Sequence, residues 1–391
     1  MKQELLDHII QCRPVGSEAN HAVMKVLEQK ASPLGYPTLS LPFECKVWSK
    51  DDSYLSVNGQ SYKIYPSPFS ASFEGEGDII VADSMEELAA LEIGQKILFI
   101  RGELAREPMM PKNFPFYYPE EHKALIELLE EKQPKAILAL TDKHPMYGLS
   151  PYPLFDDGNF IIPSAYIRES LENEAVFDAQ RAKVTIASQV EEKYSHQLVF
   201  PKKAEAGSKG KVIVCAHMDT KYDTPGAMDN AVGLAVLVDM MQCLKAASLP
   251  YDIDFVPFNG EEYYEAKGQL AYLGYCESEM ENIKLVINID SPCAQNSKTA
   301  FSLYNFDEDF KEKLINTIEQ NSLMTLGEEW YAGDHAMFVF RGIPCLAVTS
   351  SNLFESVLEV THTPRDTREL IDESLIGPTA EFLSEIIKAM G

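Results

Sequence analysis

A chain of 391 residues, 45% of them hydrophobic, can build sizeable cores, and its length suggests two domains rather than one. A formal net charge of −26 argues against nucleic-acid binding and against an anionic membrane surface, because no basic stripe exists to neutralise phosphates. Seven cysteines, odd in number, scattered and never in CxxC spacing, fit a reducing cytoplasm better than a disulfide framework.

The chain opens on MKQELLDHIIQCRP, which lacks the apolar core and small-residue cleavage site of a signal peptide. Residues 3–11 and 18–30 carry apolar positions at helical spacing, with Pro14 and Gly16 breaking between them. Residues 36–43 predict a strand, which Pro37 and Pro42 place at a sheet edge. From about residue 46 short strands follow one another, beginning with an Asn58-Gly59 hairpin signal and continuing at 78–83, 95–102, 135–140 and 160–167. One helix is expected among them, at 120–131, and His122 and His144 are expected at the surface.

After about residue 190 apolar strands alternate with longer helices. Strands are predicted at 197–200, 211–216, 253–258, 284–290 and 343–349, and helices at 230–246, 266–279, 307–324, 334–341 and 370–389. The last contains Gly377-Pro378 and is expected to kink or split. This alternation predicts an α/β fold with a mixed, mainly parallel sheet flanked by helices, formed by residues 1–45 and 190–391. Residues 46–189 would be an inserted β-rich second domain. No membrane span is expected: the longest apolar run, near 231–241, is short and contains Asp239.

Residue types suited to metal binding recur where apolar strands end. His217 and Asp219 follow the strand at 211–216, and Asp229-Asn230 leads into the next helix. Glu261-Glu262, Asp290, Asp334-His335 and a loop with His362 and Asp366 come after later apolar runs. The carboxyl ends of strands in an open α/β sheet border the crevice where ligands bind. Adjacent carboxylates there are costly unless solvated or neutralised by a cation. Taken singly, each has a plain structural reading: a helix cap for Asp229, a solvated helix start for Glu261-Glu262, an ordinary loop histidine for His362.

Taken together and in this order, the motifs resemble the co-catalytic zinc exopeptidase family of bacterial leucyl aminopeptidases, aminopeptidase Y and glutamate carboxypeptidases. The matching residues are His217-Met218-Asp219, the run 225–230 with Gly233, Gly260-Glu261-Glu262, Asn288-Ile289-Asp290, Asp334-His335 with Gly342-Ile343-Pro344, and His362-Thr363-Pro364 with Asp366-Thr367. The likeness covers residues 190–391 strongly and the first forty weakly, through Arg13 to Ser17 and Gly35. It implies two divalent ions, zinc with cobalt or manganese as substitutes, suited to imidazole and carboxylate ligands. His217 and Asp290 would hold one, Glu262 and His362 the other, with Asp229 bridging. Glu261 would be the general base. The Asp219 carboxylate would accept the second ring N–H of His217, and Asp366 would orient His362 in the same manner. Tyr331 would donate to the developing oxyanion, or else only pack at a loop edge.

Two departures border the site. The run Tyr263-Tyr264-Glu265-Ala266-Lys267-Gly268-Gln269 is one residue longer than usual, and Ser291-Pro292-Cys293 replaces the common glycine turn, so side-chain preference does not carry over. The insert resembles the protease-associated domain, in the runs 77–81, 94–98, 135–138 and 162–165. It is expected to be structural or to gate the substrate by walling off the cleft. The expected activity is a metallo-aminopeptidase acting on short peptides in the cytoplasm. Carboxypeptidase, small-molecule amidase, glutaminyl-cyclase-like acyl transfer and a non-enzymatic scaffold are the alternatives.

Overall fold

In a computed structural model, which describes residues 2–144, 148–170, 173, 175–205 and 207–390, the chain divides into two units. One is Met1–Cys45 with Tyr194–Gly391, the other Lys46–Lys193. Helices α1 (Lys2–Ile9) and α2 (Glu18–Ala31) come first, and Ser17 caps α2 by accepting from the Asn20 N–H. Strand β1 (Leu39–Lys50) follows and is an edge of the large sheet.

In the second unit the strands are β2 (Ser53–Val57), β3 (Gln60–Pro66), β4 (Phe73–Ala82), β5 (Ile97–Ile100), β6 (Ala136–Thr141), β7 (Ser164–Arg168) and β8 (Arg181–Ile186). They close into a barrel in the order β2-β3-β7-β6-β5-β4-β8. Asn58 and Gly59, both with positive φ, make the two-residue turn between β2 and β3. Helix α3 (Met85–Ala90) has no counterpart in the sequence reading, whereas α4 (Glu120–Lys132) does. His144 is buried against the Tyr152 ring, and the His122 Nδ1 accepts from the Met110 N–H, so neither is the surface residue expected.

The chain returns to the first unit at Tyr194, within β9 (Ser188–Lys202), and continues through β10 (Lys211–His217), α5 (Val232–Leu244), β11 (Asp252–Phe258), α6 (Lys267–Cys276) and β12 (Ile283–Ile289). Then come β13 (Thr299–Tyr304), α7 (Glu308–Glu319), β14 (Met324–Leu326), α8 (Ala336–Val339), β15 (Cys345–Ser350) and α9 (Ile376–Ala389). The sheet order is β1-β9-β11-β10-β12-β15-β13-β14. Its centre is parallel, β10 lying between β11 and β12, with β15 beyond; β9 and β13 join antiparallel. A mixed, mainly parallel sheet is therefore what forms.

All seven residues of β10 are buried. Val212, Val214 and Ala216 join the core beneath α5, and the alternate residues Ile213 and Cys215 are buried on the other face, as pleating requires. The stretch Ala227–Leu244 is apolar and long enough to cross a membrane by length and composition, but 78% of it is buried inside the fold. Strands β13 and β14 were not anticipated. In the 370–389 region, Gly377-Pro378 lies in the first turn of α9 and not at an interior kink. There proline's missing N–H costs no helical bond.

Candidate dimetal active site

Three ligand-bearing residues end central strands: His217 closes β10, Asp290 follows β12, and Gly260-Glu261-Glu262 lies just past β11. Parallel strands in register deliver their carboxyl ends to one edge, which brings these residues near each other. Asp229 comes from a π-type turn, Ala227–Ala231, ahead of α5, with non-helical backbone angles and a cis peptide to Asn230. Asn230 ties that turn to β12: its Nδ2 donates to the Ile289 carbonyl at 2.8 Å, and its Oδ1 accepts from the Gly233 N–H at 3.0 Å. Gly233 is required there, because a Cβ would lie 2.2 Å from the Asn230 Oδ1.

The convergence has two halves sharing one carboxylate. The His217 Nε2 is 2.9 Å from the Asp229 Oδ1 and 3.6 Å from the Asp290 Oδ1. The His362 Nε2 is 2.9 Å from the Asp229 Oδ2 and 2.7 Å from the Glu262 Oε1. His217, Asp229 and Asp290 form one group of donor atoms within 4.8 Å of one another, and Asp229, Glu262 and His362 a second. All five residues expected as ligands are brought together in this way.

Electrostatics shows what the cluster demands. Burial disfavours charge on His217 and His362, yet the surrounding carboxylates outweigh it and hold both imidazoles well above their usual range. Burial would also raise Asp229, but its bonds to the two histidines hold it well below the ordinary carboxylate range. For Glu261 burial dominates, helped by Glu262, Asp334 and Asp290, and its carboxyl is pushed well up. Three carboxylates around two imidazoles make a donor set that calls for positive charge. Two divalent cations fit it: N and O donors face inward, and the His217 Nδ1, 3.2 Å from the Asp219 carbonyl, can carry the proton and leave Nε2 free as a donor atom.

The placement of Asp219 differs from expectation. The Asp219 carboxylate is 3.9 Å from the His217 Nδ1, and the backbone carbonyl of the same residue is the nearer acceptor. The carboxylate instead accepts the backbone N–H groups of Gly260 (2.9 Å), Glu261 (3.2 Å) and Glu262 (3.0 Å), fixing the loop that carries the proposed base. These buried and half-buried loop donors need an acceptor away from water, and the Asp219 carboxylate lies nearer to them than to the ring. Asp366 accepts from the Met228 and Asp229 N–H groups at 2.7 and 3.1 Å, satisfying the turn that carries Asp229.

Tyr331 is half-exposed, its hydroxyl donates to Glu329 at 3.0 Å, and its ring stacks on Phe340. His335 is buried between Asn288 and the Trp330 carbonyl, and burial draws its imidazole down to about 4. Beside it, Asp334 is buried, one oxygen accepts from Gln269, and burial foremost pushes it up to about 8. Lys221 was not anticipated: its Nζ donates to the Glu262 carbonyl at 2.8 Å and is 3.6 Å from that residue's Oε2. In the sequence Arg13 stands out only as part of a motif, yet it is fully buried beside Asp229, Asp366 and Asp219. Its one sequence signal is a lone arginine at the break between two amphipathic helices.

Residues 199–387 match Peptidase family M28. Aminopeptidase YwaD of Bacillus subtilis (strain 168) is 22% identical over 267 residues, which are 65% of this chain and 56% of that protein, so the match spans little more than half the relative's length. Among solved structures, an aminopeptidase from Aneurinibacillus sp. strain AM-1 superposes with a TM-score of 0.76 at 18% identity, covering 99% of this chain and 93% of the other. BSAP, a zinc aminopeptidase from Bacillus subtilis, gives 0.73 at 18% identity, covering 100% and 94%. These likenesses establish the shared α/β fold. The chain carries a domain of peptidase family M28 over residues 199–387.

Proposed function

We propose that the first unit is a dimetal exopeptidase that removes residues from the free N-terminus of short peptides. The observation that carries this is Asp229, whose two oxygens stand 2.9 Å from the ring nitrogens of His217 and His362 respectively. A carboxylate shared in that way, flanked by Asp290 and Glu262, suits a pair of divalent cations, and zinc fits the imidazole and carboxylate donors. When bound, such a pair polarises a carbonyl and lowers the pKa of water.

The chain's own residues do the rest. Glu261 adjoins the ligand Glu262, and its backbone is held by Asp219. Its carboxylate takes a proton from the attacking water and passes it to the leaving amine. Cations held there would favour its ionised form, against the upward push of burial. Asp366 and Asn230 keep the Asp229 turn in place, so the bridging carboxylate is set before substrate arrives. The proposed compartment is the cytoplasm, supported by seven free cysteines, five of them buried as small apolar side chains. The proposed kinship of residues 46–193 is with protease-associated domains, supported by the closed barrel and the sequence runs within it.

The test compares one short peptide with and without N-terminal acetylation. The expected result is release of the first residue from the free peptide only. Equal cleavage of both contradicts an aminopeptidase, and release from the C-terminus replaces it with a carboxypeptidase.

A further inference from the structure

Between the proposed ligands His217 and Asp229 the chain runs through a loop, residues 218–226, with no regular structure until the turn at Ala227. Such a loop has many accessible conformations, and ordering it costs roughly 1–2 kcal/mol per residue in backbone entropy. Its ends nevertheless meet with the His217 Nε2 2.9 Å from the Asp229 Oδ1. Asp219 and Lys221 tie its middle to the 260–262 loop, the Met218 N–H donates to the Phe258 carbonyl, and one side chain reaches both of its ends.

Arg13 has no exposed surface. Its Nε donates to the Met218 carbonyl at 2.6 Å, Nη1 to the Pro225 and Gln11 carbonyls at 2.9 and 3.1 Å, and Nη2 to the Gly226 carbonyl at 3.1 Å. Its backbone N–H donates to the Thr220 Oγ1 at 2.9 Å. One planar fork thus grips the first residue of the loop and its last two. The loop closes tightly around it: a Cβ on Gly226, whose φ is +63°, would lie 2.3 Å from the Thr220 Cγ2 and 3.0 Å from the Arg13 Nη1. The same N-terminal segment reaches the neighbouring ligand loop through Asn20, whose Nδ2 donates to the Asn259 Oδ1 at 2.8 Å, just before Gly260-Glu261-Glu262.

We propose that Arg13 is a positioning residue for the dimetal centre: its guanidinium locks loop 218–226 so that His217 and Asp229 converge in ligand geometry. This rests on the dimetal reading of the site. Lysine cannot substitute, because three donors on one nitrogen cannot span carbonyls on both ends of the loop as a planar fork does. Replacing a buried arginine that served stability alone would lower the unfolding temperature without altering the surroundings of a bound ion.

The experiment titrates metal-free wild-type protein, Arg13→Lys and Thr220→Val with Co2+ against a competing chelator. The visible absorption of bound cobalt is followed, and thermal unfolding of each metal-free protein is recorded. Wild-type protein is expected to bind two equivalents, and if it binds none the dimetal reading itself fails. With wild-type binding established, Arg13→Lys is expected to lose about 10–100-fold in affinity, the usual cost of removing support behind a ligand, with a changed cobalt spectrum at saturation. Thr220→Val, which removes one acceptor of the Arg13 backbone, is expected to lose affinity in the same direction by a smaller factor. Wild-type affinity in Arg13→Lys, or lower affinity with an unchanged spectrum and a matching loss of stability, overturns the proposal. If Arg13→Lys does not fold, wild-type affinity and spectrum in Thr220→Val overturn it.

Discussion

Glu261 and Glu262 are neighbours in sequence with different proposed tasks. Glu262 faces the His362 ring at 2.7 Å, whereas burial and surrounding carboxylates push the Glu261 carboxyl upward. Glu261→Gln keeps size and polarity but cannot take a proton. It is expected to retain both ions by elemental analysis and to lose about 10²–10⁴ in rate. Loss of metal with the rate would make Glu261 a ligand instead. Tyr331 offers the opposite contrast. A phenol that stabilises an oxyanion contributes about 10²–10³ in kcat, but here the hydroxyl is engaged by Glu329 at a half-exposed position. Tyr331→Phe is therefore expected to change kcat by only a few-fold, and a hundredfold fall at unchanged KM would restore the oxyanion role. Glu261 drew notice in the sequence as one of two adjacent carboxylates at a strand end, but its task as base followed only from the family resemblance. The tasks of Asp219 and Asp366 could not be read there, since each depends on backbone N–H groups that only the folded loops bring within reach.

Strand β10 shows how one element serves two ends. At its carboxyl end is His217. At its start Lys211, almost fully buried, is 2.9 Å from the Asp254 Oδ2 on β11 and 2.5 Å from the Glu279 Oε2. Tyr272 donates to the same Asp254 oxygen at 3.0 Å. Burial opposes the charge on Lys211, but the two carboxylates win and hold the ammonium above its ordinary value of 10.5. The stability this contributes is complete below that value and is lost as the pH rises through the higher folded one. Lys211→Met strands a buried carboxylate and is expected to cost about 3–5 kcal/mol in urea unfolding at neutral pH, while Lys211→Met with Asp254→Leu recovers much of it. An unchanged midpoint in the single variant would remove the pair from the account. The central strands were legible because parallel strands buried on both faces read as unbroken apolar runs. Strands β13 and β14 were not: one follows a polar turn without a loop-to-strand signal, and the other has only three residues.

At the scale of the molecule, the change from short strands to alternating strands and helices separates two units, each with its own buried core. The crossings fall inside continuous strands, β1 and β9, so no glycine- or proline-rich linker marks them, and a boundary placed near 190 from sequence lies four residues before the unit that starts at Tyr194. Within the first unit the ligands span residues 217–362 and belong to one site only because the parallel sheet gathers their strand ends. The order of motifs made the proposed ligand set legible; the contacts of Arg13 with the loop ahead of Asp229, more than two hundred residues along the chain, required the fold. Metal stoichiometry tests the central claim most directly. Metal-free protein, reloaded and passed through a desalting column, is predicted to hold two zinc ions per chain, Asp290→Ala one, and Asp229→Ala fewer than one, because both halves of the site share that carboxylate. Two ions retained by Asp229→Ala would contradict the account.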